Sequence, residues 1–271
     1  GEHIVAQKPH SKNTGRGVPK EPPPTEWRPR INSLVATSST ISGHKAPVVR
    51  LAVSVDSSFF VSGSHDGTCG VWETSQLDDS VGVLESSLVY SGHTKNHPAR
   101  INDVAMVEGT HSVVSGDSNG GVHVWRVDMV QSTSLHSGNR TARAVGTSDV
   151  RQIHPREGEV LAVTHFTGLS TSVILFASQK GLVHSWDLRC AQEPFLLRHS
   201  PSLGHLTTMA LGNDRQWLVT GTNKGYLALW DVRFQNAVKL WRHESGEKIH
   251  RAATSFVPPP QDWAGRFSNN E

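Results

Sequence analysis

The sequence predicts an all-β fold in which one hairpin unit recurs four times. From about residue 27 onward, short runs of Val, Leu, Phe and Thr alternate with turns of Gly, Asn and Asp, which is the pattern of short strands. No stretch of the sequence shows the 3.6-residue apolar spacing of an amphipathic helix. The segments that end at four tryptophans also align with one another: Trp72, Trp125, Trp186 and Trp230.

Each aligned segment is interpreted as a polar turn between two strands. The segments read VSGSHDGTCGVW, VSGDSNGGVHVW, LFASQKGLVHSW and VTGTNKGYLALW. A glycine stands five residues before each tryptophan, where it supplies the positive φ of a tight hairpin turn: Gly67, Gly120, Gly181 and Gly225. The tryptophans are 53, 61 and 44 residues apart. The last spacing is typical of one four-stranded propeller blade, and the first two require longer loops.

A second signature surrounds these hairpins. Gly-His pairs end at His44, His93 and His205, and W-D-x-R follows at Trp186 and Trp230. This recurring G-H…W-D pattern resembles the WD40-repeat family from about residue 31 to the end of the chain. The resemblance implies a buried hydrogen-bond set in each blade, made by the His, a Ser or Thr before the turn, an Asp in the turn and the Trp. Such a network would fix one blade geometry.

The four repeats match this set unequally. The first repeat has all four members, which are His44, Ser62, Asp66 and Trp72. The second has His93, Ser115 and Trp125, with Asn119 in place of the Asp. The fourth has His205, Thr220 and Trp230, with Lys224 in that place, and the third keeps little beyond Trp186. We therefore expect the later blades to depend more on packing than on the network.

The end of the chain resembles the start of a further repeat. A shift of the fourth repeat by 46 residues places Trp217 over Trp263 and the turn 223–225 over 269–271. The fold class predicted is an incomplete WD40-type β-propeller, with four blades and part of a fifth, from a seven-bladed parent. Residues 1–26, rich in Lys, Pro, Gly and Ser, are expected to be a disordered linker, and residues 27–271 the partial propeller.

A closer resemblance lies in the first repeat and the residues before it. The stretch EWRPRINSLVATSSTISGHKAPVVRLAVSVDSSFFVSGSHDGTCGVW, the W-D-x-R-F after residue 229 and the terminal Asn-Asn-Glu resemble the C-terminal propellers of the regulatory subunits of class III phosphatidylinositol 3-kinase. The resemblance implies a scaffold bound to the lipid kinase catalytic subunit and a Beclin-type coiled-coil subunit. It also implies a cytoplasmic location, peripheral on endosomal, vacuolar and autophagic membranes through the complex, and a parent classed as a serine/threonine protein kinase.

Other function classes have weaker support. The net charge of +2 does not indicate a nucleic-acid binder, and no cofactor motif is present. The kinase motifs G-x-G-x-x-G, H-R-D and D-F-G are absent, so this segment is not expected to be an enzyme. An unrelated WD-repeat adaptor, for ubiquitin ligation or RNA processing, is the main alternative. Residues 126–159 and 95–98 are candidate contact loops, for which disorder is the favoured alternative.

Two short patterns suggest chemistry but fit the repeat better. Residues 116–120 match the G-x-S-x-G of serine hydrolases, yet a strand pattern follows, where a nucleophile elbow needs a helix. Ser118 is therefore interpreted as a turn residue. His93 and His97 are four residues apart, but Pro98 argues against the helix that would bring them together on one metal. No metal site is predicted.

Overall fold

The computed structural model describes residues 43–77, 86–95, 97–131, 140–167 and 172–254, all within one compact unit that spans Ser33–Glu271. The expected linker at residues 1–26 and the start of the further repeat at residues 255–271 lie outside the described residues. In the described ranges, helical structure is limited to short 3-10 turns at Thr74–Leu77, Gly92–Thr94, Pro155–Glu157 and Pro201–Leu203. None of the described helices is long and apolar enough to cross a membrane.

The strands form four four-stranded antiparallel sheets, and neighbours in each sheet are consecutive in the chain. The strands are β1 (Val48–Val53), β2 (Phe59–Ser64), β3 (Cys69–Glu73), β4 (Leu88–Tyr90), β5 (Ile101–Met106), β6 (Ser112–Asp117), β7 (Gly121–Gln131), β8 (Arg140–Gln152), β9 (Val160–Thr167), β10 (Ser172–Ser178), β11 (Leu182–Asp187), β12 (Leu196–Arg198), β13 (Leu206–Leu211), β14 (Trp217–Thr222), β15 (Tyr226–Asp231) and β16 (Asn236–Arg242). We call the four sheets blades 1 to 4 in chain order. The predicted all-β fold of repeated hairpins is confirmed.

The blades pack face to face along their first strands. β1 contacts β5, β5 contacts β9, and β9 contacts β13. The middle strands are therefore covered on both faces, and β2 (FFVSGS) is buried at every residue. The core lies between blades: Val71 of blade 1 packs in one cluster with Ile101, Val104 and Trp125 of blade 2. Trp125, Trp186 and Trp230 each lie in a core cluster with residues of the preceding blade, whereas Trp72 packs with Phe60 of its own blade.

The turn glycines adopt the conformation that the hairpins require. Their φ angles are positive, at 83°, 84°, 99° and 76° in blades 1 to 4. A side chain at Gly67 would also collide with the neighbouring chain, because an added Cβ would lie 2.4 Å from the Ala99 carbonyl oxygen. Both the backbone conformation and the space therefore select glycine at this turn.

A second set of glycines, nine residues before the tryptophans, lets the next blade approach. A Cβ on Gly63 would lie 2.6 Å from Val104, one on Gly116 2.6 Å from Val160, and one on Gly221 2.8 Å from Ile249. Ile249 thus occupies the place that the first residues of β5 and β9 hold at earlier junctions. Residues 249–252 lie against blade 4, where the Ile249 N–H donates to the Thr222 carbonyl and the Ala252 N–H to Thr208 Oγ1, each at 3.0 Å.

The segment 126–159, for which disorder was the favoured expectation, is ordered strand over most of its length. β7 and β8 pair from Gly121↔Gln152 to Gln131↔Arg140, and residues 132–139 lie outside the description. The expectation of a disordered loop is therefore wrong for the described part. Val122 and Val124 alternate along β7 up to Trp125, and Val127, three residues after Val124, is buried beyond the shift in pairing register.

Candidate functional site

Blade 1 contains a complete buried hydrogen-bond chain. Trp72 Nε1 donates to Ser62 Oγ at 2.7 Å, and Ser62 Oγ lies 2.6 Å from His44 Nε2. His44 Nδ1 lies 3.0 Å from Asp66 Oδ2, which also accepts from the Lys45 backbone N–H. With Nδ1–H donating to the carboxylate, Nε2 accepts from the serine hydroxyl, so each polar group in the chain is paired.

Burial alone would raise the pKa of Asp66, but its hydrogen bonds outweigh that effect. Thr68 donates to the carboxylate from both its hydroxyl and its backbone, and the Lys45 backbone and His44 add further bonds. The pKa of Asp66 is therefore held below its usual range. The carboxylate stays ionised near neutral pH and fixes the orientation of the imidazole.

The order of groups in blade 1 matches the bonding of a Ser–His–Asp triad, but the surroundings prevent catalysis. Ser62 has no exposed surface, and its oxygen already accepts the indole N–H of Trp72. A nucleophile must reach its substrate and needs donors for the developing oxyanion. Ser118, the other candidate, lies in the turn, where its Oγ accepts from the Arg100 backbone N–H at 3.0 Å. This geometry describes a structural network.

Blade 2 has an equally complete network, with a different acidic residue. Trp125 Nε1 donates to Ser115 Oγ at 3.2 Å, and His93 Nε2 lies 2.7 Å from the same oxygen. His93 Nδ1 lies 2.6 Å from Asp117 Oδ2, and Asp117 Oδ1 accepts from the backbone N–H of residue 121 at 2.7 Å. The expectation that this blade is weakened because it lacks an acid is therefore wrong.

The register of the hairpin explains the substitution. Asp117 pairs with the first residue of β5, as Ser64 pairs with the first residue of β1, so it stands two positions before Asp66 in the repeat. Its carboxylate nevertheless reaches the corresponding nitrogen of His93. Asn119, at the position of Asp66, is exposed, and its amide donates to the Pro98 carbonyl at 3.0 Å.

An aromatic stack extends the blade 2 network into blade 1. The rings of His93 and His123 stack at 3.7 Å, and Tyr90 of blade 1 stacks on Trp125 at 4.5 Å. The Tyr90 hydroxyl lies 2.9 Å from His123 Nδ1. Burial, and then the neighbouring His93, lower the pKa of His123 to about 4. His123 is therefore neutral at pH 7.

Three of these residues are close enough to suggest a metal site. One ligand atom each from His93, Asp117 and His123 lies within 4.8 Å of the others. Both nitrogens of His93 are already hydrogen bonded, however, and the in-plane lone pairs of two stacked rings cannot converge on one ion. His97, whose spacing from His93 was considered and set aside as a metal pattern, is exposed at the surface while His93 is buried. The cluster has the arrangement of a structural network.

Blade 4 uses a different histidine from the one expected. Trp230 Nε1 donates to Thr220 Oγ1 at 2.9 Å, as predicted for these two residues. His205 is exposed, so its assignment to the network is wrong. His199 occupies the place instead: its ring lies 6.3 Å from Trp230 at 53°, against 6.1 Å and 52° for His44 and Trp72.

The connection between blades 3 and 4 accounts for this exchange. A 3-10 turn at Pro201–Leu203 places His205 immediately before β13. Histidine precedes the hydroxyl residue by 18 positions in blade 1 and by 22 in blade 2. In blade 4, His199 stands 21 positions before Thr220, whereas His205 stands only 15 positions before it. The spacing was the signal that could have identified His199.

His199 is incompletely bonded, which leads to a stability prediction. Its Nε2 is buried with no hydrogen-bond partner among the described residues, and burial lowers its pKa. Since no bond is lost, we expect His199→Leu to change the free energy of unfolding by less than about 1 kcal/mol. The matched variant His93→Leu removes the buried bonds that His93 makes with Ser115 and Asp117, and it is expected to cost about 2 to 4 kcal/mol. Urea unfolding of both variants tests this; equal losses would contradict the difference in bonding.

Blade 3 replaces the network with charged groups. Phe176 stands ten residues before Trp186, where the other blades have a hydroxyl, and it stacks on His184 at 5.0 Å. His184 lies between two carboxylates, with Nε2 2.7 Å from Glu157 and Nδ1 2.8 Å from Glu193. Sequence reasoning missed this cluster. The repeated VHVW and VHSW, which place a histidine two residues before Trp125 and Trp186, were the available signal.

The comparisons with known proteins agree with this architecture. The family model "WD40: WD domain, G-beta repeat" matches residues 35–73. A probable serine/threonine-protein kinase vps15 of Dictyostelium discoideum is 35% identical over 81% of the chain and 10% of its own length. The serine/threonine-protein kinase VPS15 of Arabidopsis thaliana is 29% identical over 88% of the chain and 15% of its own length. The chain thus spans a small part of these relatives.

Other WD-repeat proteins also match the chain. The human WD repeat-containing protein 81 is 26% identical over 76% of the chain and 10% of its own length. The solved structures of U3-55K and of the RRP9 WD40 repeats each cover 74% of the chain, with TM-scores of 0.53 and 0.54 at 20% identity. The matched regions make up 51% of the U3-55K chain and 50% of the RRP9 chain, and these similarities support the fold alone. The matched segment is a propeller, a scaffold fold, and the kinase domain of the longer relatives is not in this region.

Proposed function

The chain is a WD40-repeat propeller segment whose curated relatives over most of its length include VPS15 proteins, and from that premise we propose that it serves as the scaffold propeller of the regulatory subunit of a class III phosphatidylinositol 3-kinase complex. The observation that carries the proposal is 35% identity to the Dictyostelium relative across 81% of the chain. In this role the propeller supports phosphatidylinositol 3-phosphate production in autophagy and in endosomal and vacuolar sorting.

The packing between blades supports a rigid presenting surface. At each junction, a residue on the outer strand covers the next blade's tryptophan. Tyr90 stacks on Trp125, and the Arg151 guanidinium lies 5.8 Å from the Trp186 ring. Leu197 packs in one cluster with Trp230. Because adjacent blades pack together both in the core and at their outer strands, the surface loops keep fixed positions relative to one another. Such a surface can bind several partners at once.

The partners proposed are the lipid kinase catalytic subunit and a Beclin-type coiled-coil subunit. The proposed location is cytoplasmic, with contact to endosomal, vacuolar and autophagic membranes made through these partners. The similarity to VPS15 proteins supports this location. The near-neutral charge of the chain gives it little electrostatic attraction to anionic lipid, so the membrane contact is assigned to the partners. The chain alone is therefore not expected to bind vesicles containing phosphatidylinositol.

Co-purification tests the proposal. The tagged chain would be expressed with a class III catalytic subunit and a Beclin-type subunit, and the complex would be measured by size-exclusion chromatography with light scattering. We expect one species containing all three chains, with the full-length Dictyostelium relative as positive control. Elution of the chain alone, while the control assembles, would exclude this role. Stable recovery with a ubiquitin ligase or an RNA-processing complex instead would favour the adaptor alternative.

A further inference from the structure

A cavity lies beside the blade 2 network, at the junction with blade 1. Its volume is about 400 Å³. Blade 1 contributes Tyr90 from β4, while blade 2 contributes His123 from β7 and residues of its hairpin turn, its outer strand and the connection before β5. Tyr90 and His123 are buried, whereas Lys95, His97 and Val150 at the rim are exposed. The cavity is therefore open to solvent and lined mostly by polar side chains.

His123 brings an unused ring nitrogen to this cavity. The residue is only 9% exposed, and its ring is held by the Tyr90 hydroxyl at Nδ1 and by the stack on His93. Nε2 has no hydrogen-bond partner among the described residues and, unlike Nε2 of His199, it is accessible to solvent. With the Tyr90 hydroxyl donating to Nδ1, the neutral imidazole carries its proton on Nε2. Nε2 is then a donor available to a ligand.

Blade 3 shows which chemical group fits such a nitrogen. His184 holds the same place as His123, two residues before the tryptophan and opposite the residue ten before it. Nε2 of His184 lies 2.7 Å from the carboxylate of Glu157, the last residue of the 3-10 turn before β9. In blade 2 the corresponding 3-10 turn, Gly92–Thr94, has no acidic residue and is followed by Lys95. A carboxylate from another molecule can therefore take the place that Glu157 takes in blade 3.

The charges around the cavity favour an anion. The Lys95 ammonium has no ion-pair partner in the part of the chain that the structure describes. It lies near His123, since burial, His93 and then Lys95 lower the pKa of that imidazole. Asp117 is the one acidic residue among those that line the cavity, and its oxygens already accept from His93 and from two backbone N–H groups. A carboxylate at His123 Nε2 would therefore meet an unpaired ammonium.

The rim of the cavity suits a polypeptide. Val150 is 55% exposed and offers an apolar contact beside the polar walls. The side-chain amides of Asn119 and Gln152 donate to the backbone carbonyls of Pro98 and Asn119, and their amide oxygens have no donor among the described residues. These oxygens can accept from the backbone N–H groups on either side of an acidic residue.

We propose that this cavity binds an Asp or Glu side chain of a partner protein, whose carboxylate accepts from His123 Nε2 beside Lys95. In blade 3 the chain supplies the equivalent carboxylate itself, through Glu157. The inference goes beyond the scaffold role, because it assigns a binding site to the junction of blades 1 and 2. It does not depend on which complex the scaffold serves.

The test follows binding of a defined peptide by NMR. The full chain, labelled with ¹⁵N and ¹³C, would be titrated with a short peptide in which one central Glu stands between two Val, flanked by Gly and Ser. We expect saturable shifts of the His123 ring signals and of the backbone amides of residues 119–123. The same peptide with Gln in place of Glu should bind about tenfold more weakly, because the charge-assisted bond is lost.

Variants of the chain test the two residues separately. His123→Phe keeps an aromatic ring but lacks Nε2, so it should weaken binding of the Glu peptide about tenfold. Lys95→Gln should weaken it about threefold, since an exposed ion pair contributes less. The matched control is Lys45→Gln: Lys45 is exposed and lines the corresponding cavity of blade 1, where Gly70 stands in the place of His123. This control should leave binding within about twofold of the unmodified chain.

The protonation of His123 gives an independent readout. A bound carboxylate stabilises the imidazolium, so saturating Glu peptide should raise the pKa of His123 from about 4, measured from its ring signals. An unchanged pKa, equal binding of the Gln peptide, or equal weakening by Lys45→Gln and Lys95→Gln would each overturn the proposal. Should His123→Phe fail to fold, Lys95→Gln and the pKa measurement still decide. Tighter binding of methyl phosphate than of the Glu peptide, lost in Lys95→Gln, would assign the cavity to a phosphate group instead.

Discussion

Replacing Asp117 with alanine is expected to lower the free energy of unfolding by about 3 to 5 kcal/mol, because the side chain satisfies three buried or partly buried donors. Its oxygens accept from His93 Nδ1 at 2.6 Å and from the backbone N–H of Asn119 and Gly121 at 2.8 and 2.7 Å. Alanine leaves all three without a partner. Urea unfolding of the full chain at pH 7, followed by tryptophan fluorescence, measures the loss.

Asn119→Ala is the matched control, since residue 119 holds the position of Asp66 in the repeat. Its exposed amide makes one bond to a carbonyl, so a loss below about 1 kcal/mol is expected. Equal losses for the two variants, or a larger loss at residue 119, would show that the acid of this blade has been misassigned. If Asp117→Ala does not fold, Asp117→Asn, which retains an acceptor, gives the graded comparison.

The stability difference between the wild-type chain and Asp117→Ala depends on pH through the pKa of Asp117. Burial would raise that pKa, but the bonds from His93 and the Gly121 and Asn119 backbones lower it below its usual range. A carboxyl with a lowered folded-state pKa stabilises the fold above its unfolded value, about 4, and loses that contribution as the pH falls further. The difference between the wild-type chain and Asp117→Ala should be full at pH 7 and shrink below about pH 4. A constant difference would contradict an ionised Asp117.

The hairpins could be predicted from the sequence because local chemistry determines them, whereas the blade 1 network was predicted through the resemblance to the WD40 repeat. A turn that needs positive φ selects glycine, so Gly67 and its three counterparts recur at one offset from the tryptophans. The hydroxyl ten residues before the tryptophan in blades 1, 2 and 4 follows equally from register. Strands alternate with a fixed period, and Ser62 and Trp72 point to the same face of adjacent strands.

The departures in blades 2 and 4 could not be predicted from alignment alone, because they depend on side-chain reach. Asp117 stands two positions before the place of Asp66 in the repeat, yet each carboxylate bonds Nδ1 of its own blade's histidine. An alignment compares sequence positions and carries no information on where a side chain reaches. His199 replaces His205 because a 3-10 turn lengthens the connection between blades. In each case the buried indole and imidazole require partners, and the chain meets the requirement with the residue that lies within reach.

Blade 3 shows why the repeat signature fades without loss of the fold. Its tryptophan is covered by Arg151 from blade 2, and that guanidinium also pairs with Glu193 at 3.0 Å. Glu193 and Glu157 hold His184, so charges from two blades meet at one junction. The junction remains closed although the hydroxyl is absent. The sequence therefore marks blade 3 by its turn glycine, its tryptophan and the W-D-x-R that begins there, and not by the hydrogen-bond set of the other blades.

The inner strands depend on one buried carboxylate that joins three blades. Asp103 of β5 is paired with Arg50 of β1, and its second oxygen accepts from the Val163 backbone N–H of β9 at 2.8 Å. Its side chain is 6% exposed. Burial raises the pKa of Asp103, and Arg50 together with the backbone donors opposes that rise. Arg50 therefore supports the ionised form that binds the next blade.

Arg50→Met is accordingly expected to lower the free energy of unfolding by about 3 to 5 kcal/mol, because it leaves a buried carboxylate without its cation. The double variant Arg50→Met/Asp103→Asn removes the charge while the amide oxygen still accepts from Val163. It should therefore be more stable than Arg50→Met alone, by about 1 to 3 kcal/mol, in urea unfolding at pH 7. Additive losses in the two single variants and the double variant would show that the residues do not act as a pair. A loss below about 1 kcal/mol for Arg50→Met would show that water reaches Asp103 and that the three inner strands are joined by packing alone.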